Sequence, residues 1–368
     1  MKPPVRLGLI GVGDVAERDY LPEWDRLAER AEIAIVCGRT PERVRRVAAE
    51  YHVDSWSTDY REVVTSDVDA IVNLTPIGAH DEITAAALGA GRHVYTEKPL
   101  ASSPERARTL RDAAAHANLV LVCAPSIMLF PQVVHVRELL ASGELGTIRS
   151  ARAQALTGVP PWPGYSSDPS PFFEADAGPL VDMGVYPLHV LTGLLGPVSS
   201  VTAFASSGRE SFTVADGQFE GTVVQIESED TWQLLARVGD NCIASVEANF
   251  ATVGSAAADC ELRGDHGAVA FSFFDVSAPI FMLRPGADEW VDVPVEHQRA
   301  AGPDHLLGIQ HLVDCIQDGM EPVPSADHAI HVLDVIAAAR EAAATGRSVA
   351  VEPPRGAWAG KARAGATS

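Results

Sequence analysis

The chain has 368 residues, of which 46% are hydrophobic and 21% charged, and its formal net charge is −21. This length suits two domains, and the composition is typical of globular proteins. The negative charge argues against binding nucleic acid or an anionic membrane through bulk electrostatics, and no apolar run approaches the ~20 residues that span a bilayer.

The N-terminus and the cysteines both bear on the cellular compartment. The first residues enter a strand-and-glycine pattern without the separate apolar core and cleavage site of a secretory signal. The five cysteines are scattered, which argues against a disulfide framework or a zinc site and favours a reducing compartment such as the cytoplasm. Because no set of carboxylates and histidines has metal-ligand spacing, we expect chemistry without a metal ion.

The first 125 residues alternate apolar strands with helical segments. The predicted strands are Val5–Ile10, Ile33–Cys37, Ala70–Leu74, His93–Thr96 and Leu119–Ala124. Near-continuous apolar runs are typical of parallel strands that are covered on both faces. A hydroxyl residue followed by proline marks helix starts at Thr40 and Ser103. The pattern predicts an α/β domain over residues 1–125, built on a doubly wound parallel sheet.

A glycine-rich turn follows the first strand, running from Gly11 to Ala16 and including Gly13, Asp14 and Val15. Gly11 permits a tight turn, Gly13 lets the backbone approach a pyrophosphate, and Ala16 keeps the next helix close to the strand. Since this G-x-G-x-x-A spacing opens a helix inside a βαβ pattern, a dinucleotide site is favoured over an ordinary glycine turn.

The end of the second strand bears on which dinucleotide binds. An acid usually stands here to bind the ribose 2′-OH of NAD, but this chain has Gly38, Arg39 and Thr40 after Cys37. Glycine leaves room for a 2′-phosphate, and Arg39 with Thr40 can bind it through charge-assisted contacts. The turn therefore favours NADP. In the alternative, Arg39 is a solvated turn residue and the cofactor is NAD.

Further polar groups follow the later strands of the predicted sheet. Thr75, Pro76 and, a few residues on, His80 come after the third strand, and Glu97 and Lys98 come after the fourth. A parallel sheet presents its ligands at the carboxyl ends of its strands. We therefore expect these residues to contribute to the cofactor site, although the sequence indicates no partner for the histidine.

Lys98 is unusual because lysine occurs at only two other positions, 2 and 361, near the two ends of the chain. A compact ammonium with three donors suits a single oxygen centre better than an arginine fork does. We therefore interpret Lys98 as a group that binds a substrate oxygen. The alternative is a solvated charge at the end of a strand.

After Pro131 the character of the chain changes, and residues 126–351 predict an α+β domain. A helix over Pro131–Ser142 leads to a strand at Ile148–Leu156, followed by a loop rich in proline and glycine at 158–173. Strand-like segments from about 198 to 293 indicate a large, open, mostly antiparallel sheet. Two helices, over about 304–319 and 326–345, close the domain, and residues 352–368 predict a loose tail.

Three aromatic residues stand in the proline-rich loop, at Trp162, Tyr165 and Phe172. Such rings can stack on the apolar face of a sugar, and Trp162 and Tyr165 are candidate substrate contacts. The same rings can equally serve as hydrophobic anchors of the loop.

A third candidate group lies beyond this loop. On one helix Asp182, Tyr186 and His189 would stand at i, i+4 and i+7 and would share a face. Three groups that exchange or accept protons on one face predict an acid–base cluster. The alternatives are a helix cap for Asp182, a structural aromatic for Tyr186 and a buried core histidine for His189.

Together, these motifs resemble the glucose–fructose oxidoreductase, inositol dehydrogenase and rhizopine-catabolism (Gfo/Idh/MocA) family. The resemblance rests on the glycine turn, the threonine-proline segment, Glu97-Lys98-Pro99 and the segment from Gly178 to Tyr186. It implies a Rossmann domain joined to a domain with an open sheet, and NAD(P)-dependent hydride transfer on a sugar or cyclitol. It also implies a homodimer or homotetramer formed through that sheet.

The resemblance further implies roles for individual residues. Lys98 matches a lysine that contacts substrate and cofactor, and the Lys98–Pro99 peptide bond is expected to be cis. Asp182 matches the acidic partner of that lysine, and Tyr186 stands where many members have the catalytic histidine. Only Gly178 remains of the usual three glycines before this helix, so the loop is expected to differ in shape.

The chemistry that follows is metal-free oxidation or reduction of a secondary alcohol or ketone. A tyrosine hydroxyl is a poor base at neutral pH, but a nearby ammonium stabilises the phenolate, so Lys98 can activate Tyr186. Two alternatives remain open. One is an enzyme that keeps its cofactor and couples two sugars, and the other is a non-catalytic sensor of dinucleotide or sugar.

Overall fold

The computed structural model describes residues 2–297 and 299–354, and its residue contacts form two compact units. Of the described residues, the first unit contains those up to Ser126 and Asp304–Ile330, and the second contains those within Ile127–Pro303 and residues 331–354. Residues 355–368, most of the predicted tail, lie outside the described residues.

Strands and helices are numbered here in chain order. The strands are β1 Val5–Ile10, β2 Ala31–Cys37, β3 Trp56–Ser57, β4 Ala70–Asn73, β5 His93–Thr96, β6 Leu121–Cys123, β7 Ile148–Leu156, β8 Val198–Ser206, β9 Ser211–Thr213, β10 Val223–Gln225, β11 Thr231–Val238, β12 Cys242–Asn249, β13 Cys260–Gly264, β14 Ala268–Phe271, β15 Ile280–Leu283, β16 Val291–Val293 and β17 Val349–Ala350. The α-helices are α1 Pro41–Glu50, α2 Tyr60–Thr65, α3 His80–Gly89, α4 Pro104–His116, α5 Pro131–Ser142, α6 Pro179–Asp182, α7 Val185–Leu195, α8 Leu306–Asp318 and α9 Ala326–Thr345. Short 3₁₀ or π turns occupy Ala16–Tyr20, Leu21–Leu27, Ile77–Ala79, Ser126–Leu129 and Ser170–Phe173.

The first unit contains a parallel sheet in the order β3-β2-β1-β4-β5-β6. This is the predicted doubly wound sheet. Apart from Arg6, β1 and β4 consist of apolar residues and Asn73, and all of these are buried, as expected for strands covered on both faces. The chain changes direction across the sheet between β1 and β4, and their carboxyl ends are where such folds bind ligands.

Helix α8 differs from the expected domain division, which assigned both closing helices to the second domain. Its apolar residues Leu306, Ile309 and Leu312 are fully or almost fully buried and belong to the same hydrophobic cluster as Leu7 and Leu9 of β1. Because this helix completes the core beside the parallel sheet, its contacts assign it to the first unit.

The second unit is built on a mixed sheet in the order β16-β15-β14-β13-β7-β12-β11-β8-β17. All neighbours are antiparallel except β7 and β12, so the predicted mostly antiparallel sheet is confirmed. Helix α7 packs against β7, β11 and β12. Buried and exposed residues alternate along β11, which means that the other face of the sheet is open.

Candidate functional site

The glycine turn after β1 has the backbone geometry that an anion site requires. Gly11 has a φ of +99°, and a Cβ there would lie 2.5 Å from the carbonyl carbon of Leu74. A Cβ on Gly13, by contrast, would meet none of the described atoms within 4 Å. Ala16 is fully buried. The turn is therefore held against the end of β4, and its backbone stays open to a ligand at Gly13.

The helix that this turn opens is less regular than expected. Its second turn, Ala16–Tyr20, is π-helical, and the 3₁₀ segment that follows is broken at Glu23. The Glu17 amide still donates to the Gly13 carbonyl at 3.0 Å, so the turn does lead into a helix. Tyr20, the last residue of the π-helical turn, is only 1% exposed.

An ion-pair cluster that the sequence did not reveal lies beside the glycine turn. The Asp14 carboxylate, 8% exposed, accepts from the Arg43 guanidinium at 3.0 Å, and Arg43 also donates to Glu17 at 2.6 Å. Burial raises the pKa of Glu17, but hydrogen bonds from Arg46 and Arg43 outweigh it and lower that pKa overall. The cluster ties the turn to α1, and its arginines compensate the acids beside a prospective anion site.

At the end of β2, the surroundings of Cys37 and Gly38 leave no room for an acidic side chain at either position. Cys37 is 3% exposed, and burial followed by the charges of Asp59 and Glu62 raises the pKa of its thiol to about 11. A Cβ on Gly38 would lie 2.8 Å from a methyl group of Val12. Arg39 and Thr40 are exposed. They are therefore the residues whose side chains are available at this strand end.

Thr40 and Ser103 both precede a helix that begins with proline, as predicted. Ser103 accepts a hydrogen bond from the Arg106 amide at 3.3 Å and so caps α4. Thr40 has the extended backbone of a cap residue, but its hydroxyl makes no capping hydrogen bond. That hydroxyl is therefore not committed to the helix it precedes.

His80, a predicted cofactor contact, is the first residue of α3 and is held by two backbone carbonyls. It is 1% exposed, and its ring nitrogens lie 2.7 Å from the Thr75 carbonyl oxygen and 2.8 Å from the Pro99 carbonyl oxygen. It thus joins the loop after β4 to the loop after β5. Thr75 is also held by Asn73, whose side-chain oxygen accepts from the threonine hydroxyl at 2.6 Å.

Glu97 and Lys98 follow β5. Glu97 is buried, and Lys98 is half-buried. The Lys98–Pro99 peptide bond is cis, as the resemblance implied. The Glu97 carboxylate is 8% exposed and accepts from the Lys98 backbone N–H at 2.9 Å and from the Tyr20 hydroxyl at 2.5 Å. Glu97 is therefore an internal anchor of the strand end.

The structure replaces the single helix predicted around Asp182 with two, α6 and α7, joined at Met183 and Gly184. Pro187 has no N–H to donate to the Met183 carbonyl, and its ring crowds that position. The Tyr186 amide bonds Met183 instead, and the Gly184 amide reaches back to Pro179. The i, i+4, i+7 alignment of an unbroken helix therefore does not hold across this joint.

The three candidate proton-transfer residues on these helices differ in environment. Asp182 is half-buried. Tyr186 is 7% exposed, and its ring packs against Phe274 with centroids 5.3 Å apart. His189 is 4% exposed, its Nδ1 lies 2.7 Å from the Val185 carbonyl oxygen, and burial lowers its pKa to about 4. His189 has the environment of a neutral core histidine.

The aromatic residues of the proline-rich loop form their own small core. Trp162 contacts Tyr165, Phe172 and Phe250, with ring centroids 5.2 to 6.0 Å apart in edge-to-face geometry. The cluster also includes the fully buried Phe173. This packing favours the interpretation of these rings as loop anchors.

Within residues 2–297 and 299–354, no helix has the length and apolarity needed to cross a membrane. The same residues contain no cluster of three or more histidine, cysteine, aspartate or glutamate side chains that could hold a metal ion.

Two family models match the chain. Residues 5–124 match the model described as oxidoreductase family, NAD-binding Rossmann fold, and residues 133–270 match the GFO/IDH/MocA C-terminal domain. The first unit is therefore an NAD-binding Rossmann domain. The models together span both parts of the predicted architecture.

Individual relatives agree with these models. A dTDP-3,4-didehydro-2,6-dideoxy-alpha-D-glucose 3-reductase from Saccharopolyspora spinosa is 34% identical over 57% of this chain and 62% of its own length. The alignments with it and three further reductases of that name cover only 55 to 62% of the relatives' lengths. The D-glucoside 3-dehydrogenase of Escherichia coli is 25% identical over 94% of this chain and 97% of its own length. In fold, an oxidoreductase domain protein from Kribbella flavida is similar, with a TM-score of 0.80 at 24% identity over 95% of this chain and 100% of the other.

Proposed function

The chain belongs to the Gfo/Idh/MocA oxidoreductase family, and on that premise we propose that it transfers a hydride between a nicotinamide dinucleotide and a ring carbon of a sugar. The supporting observation is the carboxyl edge of the parallel sheet, where the open turn at Gly13 and the anchored Glu97-Lys98 segment follow strands of the same sheet. An anion-binding turn and a cation on one sheet edge suit a cofactor and a reacting oxygen.

The proposed reacting position is carbon 3 of a glucose-derived ring. The names of two relatives, a keto-sugar 3-reductase and a glucoside 3-dehydrogenase, share that position although their substrates differ. The second of these relatives aligns along nearly its whole length. The proposed substrate is therefore a hexose derivative with a free hydroxyl or a ketone at carbon 3.

The proposed roles are divided between the bound dinucleotide and the backbone and side chains of this protein. The dinucleotide, when bound, supplies or accepts the hydride. The backbone of the Gly11–Ala16 turn holds its pyrophosphate, and Lys98 stabilises negative charge on the substrate oxygen. Tyr186, with Asp182, is proposed to move the hydroxyl proton, and the ring of Phe274 beside Tyr186 offers an apolar surface. His189 is a weaker candidate for proton transfer because it is buried and back-bonded to its own helix.

We further propose that the cofactor is NADP. Arg39 and Thr40 are exposed at the end of β2, and no carboxylate can replace Gly38 without displacing Val12. A 2′-phosphate would meet a guanidinium and a hydroxyl there, whereas the 2′-OH of NAD would lack its usual acceptor.

The cofactor assignment is tested by kcat/KM for NADP and NAD in the wild type and in Arg39→Ala. We expect Arg39→Ala to lower the ratio of kcat/KM for NADP to kcat/KM for NAD by roughly 10- to 100-fold, since one charge-assisted contact to NADP is lost. Arg45→Ala is the matched control because this exposed arginine stacks over Trp56, 4.6 Å from the ring centroid. An unchanged ratio in Arg39→Ala would remove the assignment.

The activity is tested by following reduced-nicotinamide absorbance with both cofactors across a substrate panel. The panel contains glucosides, an anhydro-sugar, nucleotide-linked keto-sugars and matched sugars that are deoxygenated at carbon 3. Turnover that requires an oxygen at carbon 3 supports the proposal. Dinucleotide binding without turnover on any member would contradict it and would favour a sensor.

A further inference from the structure

A buried chain of hydroxyl groups leads to Glu97 inside the first unit. The Tyr20 hydroxyl lies 2.5 Å from Glu97 Oε1 and 2.7 Å from the Tyr95 hydroxyl, which in turn lies 3.3 Å from Ser126 Oγ. Tyr20, Tyr95 and Ser126 are at most 1% exposed, and Glu97 is 8% exposed. A carboxylate this deep in the protein needs donors, because a buried charge without hydrogen bonds is costly.

The direction of these hydrogen bonds follows from the chemistry of the acceptor. A carboxylate only accepts, so Tyr20 donates its single proton to Glu97 and must accept the proton of Tyr95. Burial, followed by the charge of Glu97, raises the pKa of Tyr20 well above its usual value, and burial does the same for Tyr95. Both phenols therefore stay protonated and remain donors.

The rings that carry these hydroxyls are fixed by packing. Tyr20 meets Tyr95 edge to face at 5.9 Å and lies 5.8 Å from the ring of His305. Room for the Tyr95 hydroxyl comes from Gly308, where a Cβ would lie 2.8 Å from that oxygen and 2.2 Å from Ser126 Oγ. With its ring held in this way, Tyr20 presents its proton to one carboxylate oxygen of Glu97.

The other carboxylate oxygen of Glu97 binds the backbone that carries the lysine. Glu97 Oε2 accepts the Lys98 N–H at 2.9 Å, so the rotamer of Glu97 and the orientation of that peptide are linked. We propose that Tyr20 is a positioning residue for Lys98, acting through the carboxylate of Glu97. The inference rests on the proposed function, in which Lys98 handles the substrate oxygen.

The test compares Tyr20→Phe with Tyr95→Phe. Both remove one buried phenol hydroxyl, but only the first removes a donor to Glu97. We expect Tyr20→Phe to lower kcat by up to about 100-fold through misplacement of Lys98, with the dissociation constant of the dinucleotide unchanged. Tyr95→Phe should lose much less. Tyr51→Phe, a half-buried tyrosine outside the network, gives the baseline for the loss of a hydroxyl.

A second readout does not depend on turnover. Amine-reactive labelling, read by mass spectrometry, reports the reactivity of Lys98, with exposed Lys2 as the internal reference. The Lys98 to Lys2 labelling ratio should change in Tyr20→Phe and stay at the wild-type value in Tyr51→Phe. If the wild type turns over no sugar, the proposed function fails while this readout still decides the positioning role.

The Glu97→Gln variant tests whether Tyr20 acts on Lys98 through the Glu97 carboxylate. If Tyr20 acts through the carboxylate, Tyr20→Phe should have little further effect on kcat or on labelling in the Glu97→Gln background. The proposal is overturned if Tyr20→Phe leaves kcat and the labelling ratio at wild-type values. It is also overturned if the effects of the two variants simply add, or if Tyr20→Phe and Tyr95→Phe lose activity only in proportion to their loss of Tm.

Discussion

At the scale of single residues, Lys98 carries the charge on which the proposed hydride transfer depends. Its replacement by alanine removes the cation but leaves the backbone N–H that Glu97 binds. We expect Lys98→Ala to lower kcat by roughly 10²- to 10³-fold, the usual cost of removing one group that stabilises developing negative charge. Dinucleotide affinity, measured by fluorescence titration, should remain within a few-fold.

The control for this prediction is Lys2→Ala, which removes an exposed lysine that pairs with Asp318 at 2.9 Å. It should retain full kcat. Equal losses of dinucleotide binding and turnover in Lys98→Ala would make Lys98 a cofactor anchor and would contradict its role at the substrate oxygen.

Two buried histidines of the second unit predict how stability depends on pH. Burial lowers the pKa values of His189 and His331 to about 4, and for His189 the charge of His331 lowers the pKa further. In the unfolded chain these groups titrate near 6.5, so between pH 6.5 and 4 the unfolded state binds more protons. The stability they contribute is complete above about pH 6.5 and is lost as the pH falls towards 4, by on the order of 3 kcal/mol for either group.

Denaturant unfolding measured from pH 7 to pH 4 checks this. We expect the free energy of unfolding to fall with pH in the wild type and to fall less steeply in His189→Gln. His116→Gln changes an exposed histidine and should reproduce the wild-type slope. A slope that is the same in all three proteins would show that the acid sensitivity arises elsewhere.

At the scale of elements, helix propensity and packing have opposite effects at Gly308, the third residue of α8. Alanine normally stabilises a helix relative to glycine by about 0.5–1 kcal/mol. At Gly308, however, the new methyl group would lie 2.2 Å from Ser126 Oγ and 2.5 Å from a ring carbon of Tyr95. We therefore expect Gly308→Ala to lower the free energy of unfolding, measured in urea, by about 1–3 kcal/mol.

Gly89→Ala is the matched control for this prediction. Gly89 also lies in a helix, α3, but a Cβ there meets none of the described atoms within 4 Å. This variant should be neutral or slightly more stable than the wild type. If Gly308→Ala were as stable as Gly89→Ala, the crowding around Tyr95 would be relieved by movement, and the network around Glu97 would be looser than its distances indicate.

Elements with strong local patterns were predictable from the sequence. Strands such as Val5–Ile10 and His93–Thr96 have the predicted bounds, because buried parallel strands are short apolar runs between turn residues. The break between α6 and α7 also had a local signal. Pro187 stands four residues after Met183, and a proline there removes the helical hydrogen bond to that carbonyl.

The contacts around the candidate site were not predictable from local patterns, because their partners are distant in sequence. Tyr20 and Glu97 are 77 residues apart, and Ser126 meets the His305 carbonyl across 179 residues. His80 had no visible partner because its ring binds two backbone carbonyls, which leave no trace in residue identities. The placement of α8 in the first unit likewise depends on which core its apolar face completes.

At the scale of the whole molecule, the open face of the second unit's sheet carries large exposed apolar side chains. Phe204 of β8 is 76% exposed, Leu235 of β11 is 56% exposed and Ile243 of β12 is 47% exposed. In the β8–β11 register Phe204 stands opposite Gln233, and Leu235 stands opposite Thr202. All three apolar residues point away from α7. In the register of these strands Leu235 is the diagonal neighbour of both Phe204 and Ile243, and a group of exposed apolar side chains on an open face favours an interaction surface. We propose a homodimer or homotetramer formed through this face.

The prediction is that a charge at the centre of this face dissociates the assembly. In an interface with twofold symmetry Leu235→Glu buries one unpaired carboxylate from each copy, so we expect the dissociation constant to rise by at least about 100-fold. Sedimentation velocity should give a multiple of the 39.0 kDa chain mass for the wild type and the single-chain mass for the variant. Val253→Glu changes an apolar side chain that is 99% exposed and lies outside the strands, and should leave the assembly intact.

A wild type that sediments as one chain at every concentration would contradict self-association, and an assembly unaffected by Leu235→Glu would mean that the copies meet through another surface.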